Sequence, residues 1–184
     1  MSKRILIVTG SPRKDGNSDS MAKAFAKGAT AHGHSVEYFE AAFKNFSGCR
    51  ACDMCWTKGK ACVIEDDWQD FSAKLEAADV VAFAYPMYWS TMPSQLKAAI
   101  DRLYSYCSTK TIRPLTGKQT VLMLCGECLG ADIFRDALHA HEGLDGYFHW
   151  KNIGTILIDG VFEKGKIQET DALERAYQLG LSIE

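Results

Sequence analysis

Lys3-Arg4-Ile5-Leu6-Ile7-Val8-Thr9, followed at once by Gly10-Ser11-Pro12-Arg13-Lys14-Asp15-Gly16-Asn17-Ser18, decides the fold. The first seven residues are a short β-branched run, the pattern of a strand buried on both faces. The next nine are turn formers that cannot prolong a strand. From Ser18 to about residue 31 the residues favour helix, with Met21, Ala22, Phe25 and Ala29 on one face and Ser18 as the expected N-cap. Strand, polar loop and helix in this order form the first half of a strand–helix–strand unit.

The same alternation runs through the rest of the chain. Further strands are expected at 35–40, 79–85, 119–125 and 154–158. Helices are expected at 67–77, 93–106, 132–142 and 169–179. Five strands separated by helices predict an α/β fold with a doubly wound five-stranded parallel sheet and helices on both faces. Right-handed crossovers leave the flavodoxin-like order 2-1-3-4-5 as the five-stranded version. Ligands of such sheets bind at the carboxyl ends of the strands, where the winding reverses. The loops at 10–18, 86–92 and 125–130 share that edge.

The chain has 184 residues, 47% of them hydrophobic and 24% charged, which fits one globular domain over 1–184 with an insert at 41–66. Lys and Arg number 21 against 23 Asp and Glu. That balance argues against a polybasic nucleic-acid or membrane-surface binder. Ile5 to Val8 is too short for a signal-peptide core, and no stretch reaches the roughly 18 apolar residues of a membrane helix. A soluble, cytoplasmic protein is expected. Seven cysteines, an odd number, argue against a secreted disulfide framework. Cys49, Cys52, Cys55 and Cys62 sit together in the insert, whereas Cys107, Cys125 and Cys128 lie elsewhere.

The loop from Gly10 to Ser18 opens a helix, where unpaired backbone amides and the helix dipole favour an anion. Ser11, Asn17 and Ser18 add side-chain donors, and Arg13 adds a planar charged fork suited to phosphate. Neither the Walker A spacing nor the dinucleotide Gly-x-Gly-x-x-Gly pattern is present. Pro86-Met87-Tyr88-Trp89 places large apolar groups where they can border a flat ring or cover the core. Cys125 and Cys128 form a Cys-x-x-Cys pair, but not at the position of a thioredoxin active site. His32, His34, His139 and His141 read as solvated or structural.

Gly10-Ser11-Pro12-Arg13 with Gly16-Asn17-Ser18, then Tyr85-Pro86-Met87-Tyr88-Trp89 and Pro93-x-x-Leu96-Lys97-x-x-Ile100-Asp101-Arg102, resembles the flavodoxin-like NAD(P)H-dependent FMN reductase family. The resemblance implies FMN, with its phosphate on Ser11, Arg13, Asn17 and Ser18. Its isoalloxazine would lie on Pro86, Met87, Tyr88 and Trp89, with Cys125, Gly126 and Glu127 as a third loop. It further implies NAD(P)H as co-substrate, a small-molecule electron acceptor such as free flavin or quinone, and a homodimer or homotetramer. The flavin carries the chemistry, so no side chain is expected to be catalytic.

Cys49-x2-Cys52-x2-Cys55-x6-Cys62 resembles the compact motif of the iron–sulfur flavoproteins, a branch of the same fold family. That resemblance implies a [4Fe–4S] cluster on these four thiolates. Thiols without metal and a structural zinc site are the other two readings, although Cys-x2-Cys-x2-Cys is crowded for tetrahedral zinc. Two further functions follow for comparison: an electron carrier with FMN and a cluster, and a non-enzymatic redox-sensing module acting through its cysteines.

Overall fold

In the computed structural model, which describes residues 1–107 and 113–184, Arg4–Thr9 forms β1 at the middle of the sheet. It pairs in parallel with β2 (Ser35–Glu40) on one side and β3 (Val80–Pro86) on the other. β4 (Gln119–Cys125) and β5 (Lys151–Ile158) complete the parallel order β2-β1-β3-β4-β5. Ile5, Leu6, Ile7 and Val8 are at most 2% exposed, as their β-branched run requires between two covering layers.

Alternate strand residues feed opposite cores. Ile5, Ile7, Ala82, Ala84, Val121 and Met123 face α1 (Asn17–Ala31) and α6 (Ala172–Leu181). Leu6, Val8, Val81, Phe83, Leu122 and Leu124 face the layer that includes Trp68, Phe71, Leu96 and Ala137. These lie on α3 (Trp68–Ala77), α4 (Ser94–Asp101) and α5 (Arg135–Phe148). α1 and α6 meet backbone to backbone. A Cβ on Gly180 would lie 2.2 Å from the Phe25 carbonyl oxygen, and one on Gly28 would lie 2.1 Å from that of Tyr177.

Several boundaries differ from the expectation. Gly16, not Ser18, stands at the N-cap of α1, and no side chain caps that helix. Ser18 lies inside the first turn. The helix begun at Ser94 ends at Asp101 and continues as a 3-10 turn from Arg102 to Tyr106. α5 starts three residues later than expected and runs on to Phe148, past Gly143 and Gly146, because Asp145 and Phe148 are buried against the sheet. β5 begins at Lys151 rather than 154, with a register shift opposite Thr120/Val121. The insert holds a short helix, α2 (Met54–Lys58), between two left-handed residues, Asp53 and Gly59. Of its residues 49–65 only Ala61 is buried. None of the helices among the described residues is long and apolar enough to cross a membrane.

Candidate functional site

β1, β3 and β4 end beside one another, and the loops that follow them enclose a cavity of about 270 Å³. All eleven residues singled out as cofactor contacts line it: Ser11, Arg13, Asn17 and Ser18, then Pro86, Met87, Tyr88 and Trp89, then Cys125, Gly126 and Glu127. Gly16, Val161, Phe162 and Lys164 join them. The last three follow β5, in a polar stretch that carried no motif in the sequence.

One end of the cavity is polar. Asn17, Ser18 and Asp19 form the first turn of α1, where helix geometry supplies no carbonyl for the amides. The Ser18 hydroxyl is buried and has no hydrogen-bond partner. A buried hydroxyl left unpaired costs about 1–3 kcal/mol, so this atom fits a site built for an acceptor. Ser11 Oγ accepts the Arg13 amide at 3.1 Å and thereby shapes the loop. The Arg13 guanidinium donates to the Phe162 carbonyl at 3.1 Å and lies 5.3 Å from the centre of that ring.

Asn17, which lines the cavity, also ties down a distant loop. Its side-chain NH2 donates to the Glu163 carbonyl at 2.9 Å, and its oxygen accepts the amides of Gly165 and Ile167 at 3.0 and 3.3 Å. The side chain is therefore committed to holding the 161–167 loop, which carries Phe162 and Lys164 to the cavity. Its place in the first turn keeps its backbone at the polar end of the cavity. No local pattern foretold this latch, because its partners lie about 150 residues away.

The other end is apolar and strained. Tyr88 and Thr91 exchange both backbone hydrogen bonds, at 2.9 and 3.1 Å, so Trp89 and Ser90 form a two-residue turn. Both have positive φ, 49° and 65°. That conformation normally selects Asn and Gly. The turn holds the Trp89 ring 99% exposed. The Met87 amide bonds the Cys125 carbonyl at 2.8 Å and joins this turn to the third loop. The Gly126 amide is committed to Ile158 at 2.9 Å and cannot face a ligand; Glu127 is the next polar residue of that loop on the cavity. Cys125 is buried, and burial pushes its thiol up to about 12, against the opposing effect of the Ser18 amide. Cys128 is exposed, and both cysteines are free.

The four insert cysteines meet on a second, narrow cleft of about 20 Å³, which Arg102, Tyr104 and Ser105 also line. Cys49 and Cys52 are exposed, Cys55 and Cys62 half-buried. Burial raises the Cys55 thiol above its ordinary range, and the neighbouring Cys62 and Cys52 add to this. No three His, Cys, Asp or Glu side chains among the described residues converge on a single metal ion. A zinc site needs sulfurs about 2.3 Å from one point, so this arrangement does not suit it. Four thiols around one cleft suit the donor set of a polynuclear iron–sulfur centre. The cleft sits at the carboxyl end of α4, whereas the Trp89 turn precedes its amino end. The eight residues between span about 12 Å. The two sites share no lining residue.

The profile of the family described as NADPH-dependent FMN reductase matches residues 3–154. An iron–sulfur flavoprotein of Archaeoglobus fulgidus is 33% identical over 115 residues, 62% of this chain and 52% of that protein. One of Methanosarcina thermophila is 33% identical over 99 residues, 54% of this chain and 51% of the relative. The chain thus spans about half the length of the curated relatives it matches. Among solved structures, an NAD(P)H:quinone oxidoreductase from Methanothermobacter marburgensis superposes with a TM-score of 0.79 at 24% identity, over 100% of this chain and 97% of that one. An azoreductase from Bacillus anthracis gives 0.75 at 18% identity over both whole chains. At such identities the likeness is one of fold.

Proposed function

The chain belongs to the NADPH-dependent FMN reductase family, and from that membership we propose that it binds FMN in the 270 Å³ cavity and passes electrons from NAD(P)H to a small acceptor such as a quinone or free flavin. The observation that carries this reading is the cavity's two-ended chemistry. An unpartnered Ser18 hydroxyl and the first-turn amides stand at one end, and a strained turn presenting Trp89 stands at the other. When bound, the flavin supplies hydride acceptance and onward electron transfer.

The chain's own residues bind and orient. Ser11, Ser18 and the amides of α1 receive the phosphate at the positive end of the helix dipole. Arg13 and Lys164 add charge there. Met87, Tyr88 and Trp89 offer flat or deformable apolar surface to the ring, and Glu127 borders its polar edge. No residue need abstract a proton.

The test is titration of flavin-free protein with FMN and with riboflavin. FMN is expected to bind well above riboflavin, because only FMN engages the polar end. Arg13→Ala should weaken FMN ten- to a hundred-fold, the worth of one charge-assisted hydrogen bond at about 1.5–3 kcal/mol, and leave riboflavin unchanged. Protein that takes up no FMN overturns the reading.

A second reading rests on the cysteine cleft: an electron carrier holding FMN and a [4Fe–4S] centre on Cys49, Cys52, Cys55 and Cys62. Four thiols lining one cleft support it, as do the iron–sulfur flavoprotein relatives. Iron and sulfide of about four each per chain after anaerobic preparation would establish it. Assembly as a homodimer or homotetramer, with Trp89 at a subunit boundary, belongs to the same proposal; light scattering that finds a monomer removes it.

A further inference from the structure

The geometry points to Arg102 as the positioning residue of the four-cysteine centre, an inference that rests on the iron–sulfur reading. Arg102 is a fully charged side chain only 1% exposed, which a fold tolerates only with dense compensation. Its Nη1 donates to both Asp66 oxygens, at 2.8 and 2.7 Å, and to the Ser47 carbonyl at 3.2 Å. Nη2 donates to the Ile64 carbonyl at 3.2 Å. The guanidinium lies 4.6 Å from the centre of the Trp68 ring.

Ser47 and Ile64 are the two ends of the segment that holds all four cysteines. Asp66, the partner carboxylate, accepts the Trp68 amide at 3.1 Å and so seats the start of α3. Gln69 adds a second tie by donating to the Cys62 and Ile64 carbonyls at 3.1 and 2.9 Å. The segment between the ends has almost no core of its own, since only Ala61 of residues 49–65 is buried. Its closure therefore rests on polar bonds: those of Arg102 and Gln69, the Asn45–Asp67 pair at its base, and the Trp56 indole bond to the Ser105 carbonyl at 3.2 Å. In that pair the Asn45 amide donates to the Asp67 carboxylate at 2.6 Å and the Asp67 amide to the Asn45 carbonyl at 3.2 Å. Arg102 also lines the cysteine cleft, and its buried Nε finds no acceptor. It thus performs two tasks. It draws the loop ends together so that the thiols face one cleft before iron arrives, and it sets a fixed positive charge beside a centre that is anionic when loaded.

The test is anaerobic reconstitution of the full chain with ferrous iron and sulfide, comparing wild type, Arg102→Gln and Arg102→Lys. Arg102→Gln is expected to release iron to a chelator 10- to 100-fold more readily, the usual effect of losing an outer-shell partner. FMN content should stay at the wild-type ratio. In the metal-free protein, alkylation of the half-buried Cys55 and Cys62 should accelerate relative to exposed Cys128. Any centre retained in Arg102→Gln should have a more negative midpoint potential, and Arg102→Lys should recover the potential more fully than the iron retention. Lysine keeps the charge but cannot span two carbonyls and a carboxylate at once. Wild-type iron retention and potential in Arg102→Gln would overturn the role. A wild-type chain that takes up no iron would instead end the iron–sulfur reading itself, and the role with it.

Discussion

Trp89 and Ser18 each carry a local cost in the fold. A positive φ at a bulky residue costs about 1–3 kcal/mol, and Trp89 holds one while leaving its ring in solvent. Trp89→Gly should therefore raise the stability of flavin-free protein by about 1 kcal/mol, read from urea unfolding, while altering flavin fluorescence and potential. If both stability and flavin signals match wild type, the turn has no such role. Ser18→Ala predicts a similar opposition of signs. It removes an unpartnered buried hydroxyl, so the flavin-free protein should be as stable as wild type or more so, yet FMN affinity should fall several-fold. Loss of stability without loss of affinity would contradict the assignment.

Among the elements, α1 matters most, because its first turn is the polar end of the cavity and its middle is pinned by α6. The crossing is held apart by nothing larger than hydrogen at Gly28 and Gly180. Gly180→Ala must drive the helices apart, since its Cβ would meet the Phe25 carbonyl, a backbone atom that cannot swing away. A loss of about 3 kcal/mol is expected, near the upper end for overpacking, together with weaker FMN binding by the folded fraction. Denaturant unfolding and flavin titration would check both; unchanged values would mean that α6 simply slides. The central strands were legible from their apolar runs, because both faces of β1, β3 and β4 are covered. The start of β5 was not, because Lys151 and Asn152 lie exposed on an edge strand. The end of α5 was not either, because Gly143 and Gly146 weaken its local signal while tertiary contacts secure it, Asp145 to Thr120 of β4 and Phe148 stacked on Trp150.

At the scale of the whole molecule, acid sensitivity should come from beneath α5. His141 is 3% exposed, stacked on Tyr85 at 5.7 Å and edge-on to Phe83 at 4.9 Å. Burial lowers its pKa from 6.5 to about 4, and its Nε2 has no partner. The unfolded chain binds the proton more readily, so stability is full above about pH 6.5 and falls as pH drops toward 4, by at most about 1.4 kcal/mol per pH unit. Asp145, one turn along, opposes this. Burial raises its pKa despite the 2.9 Å bond from Thr120, so protonation of its carboxyl at low pH favours the fold. His141→Phe keeps a ring in the stack and removes the titration. It should flatten the stability profile between pH 4 and 6.5 in denaturant unfolding. An unflattened profile would place the acid sensitivity elsewhere.

By itself the sequence determined the strand order, and together with the family resemblance it named eleven of the fifteen residues that line the cavity. The strands and the loop that opens α1 follow from local pattern, apolar runs and turn formers within a few residues of one another, whereas the third loop from Cys125 to Glu127 was implied by the family resemblance. Only the tertiary structure decided that Asn17 latches the 161–167 loop, that Trp89 and Ser90 form a strained turn, and that Arg102 closes the cysteine segment from 38 and 55 residues away. It also set the cysteine cleft at the far end of α4 from the Trp89 turn. Polar side chains such as these find partners wherever the folded chain brings a carbonyl or carboxylate within reach. A one-dimensional pattern carries no record of that distance.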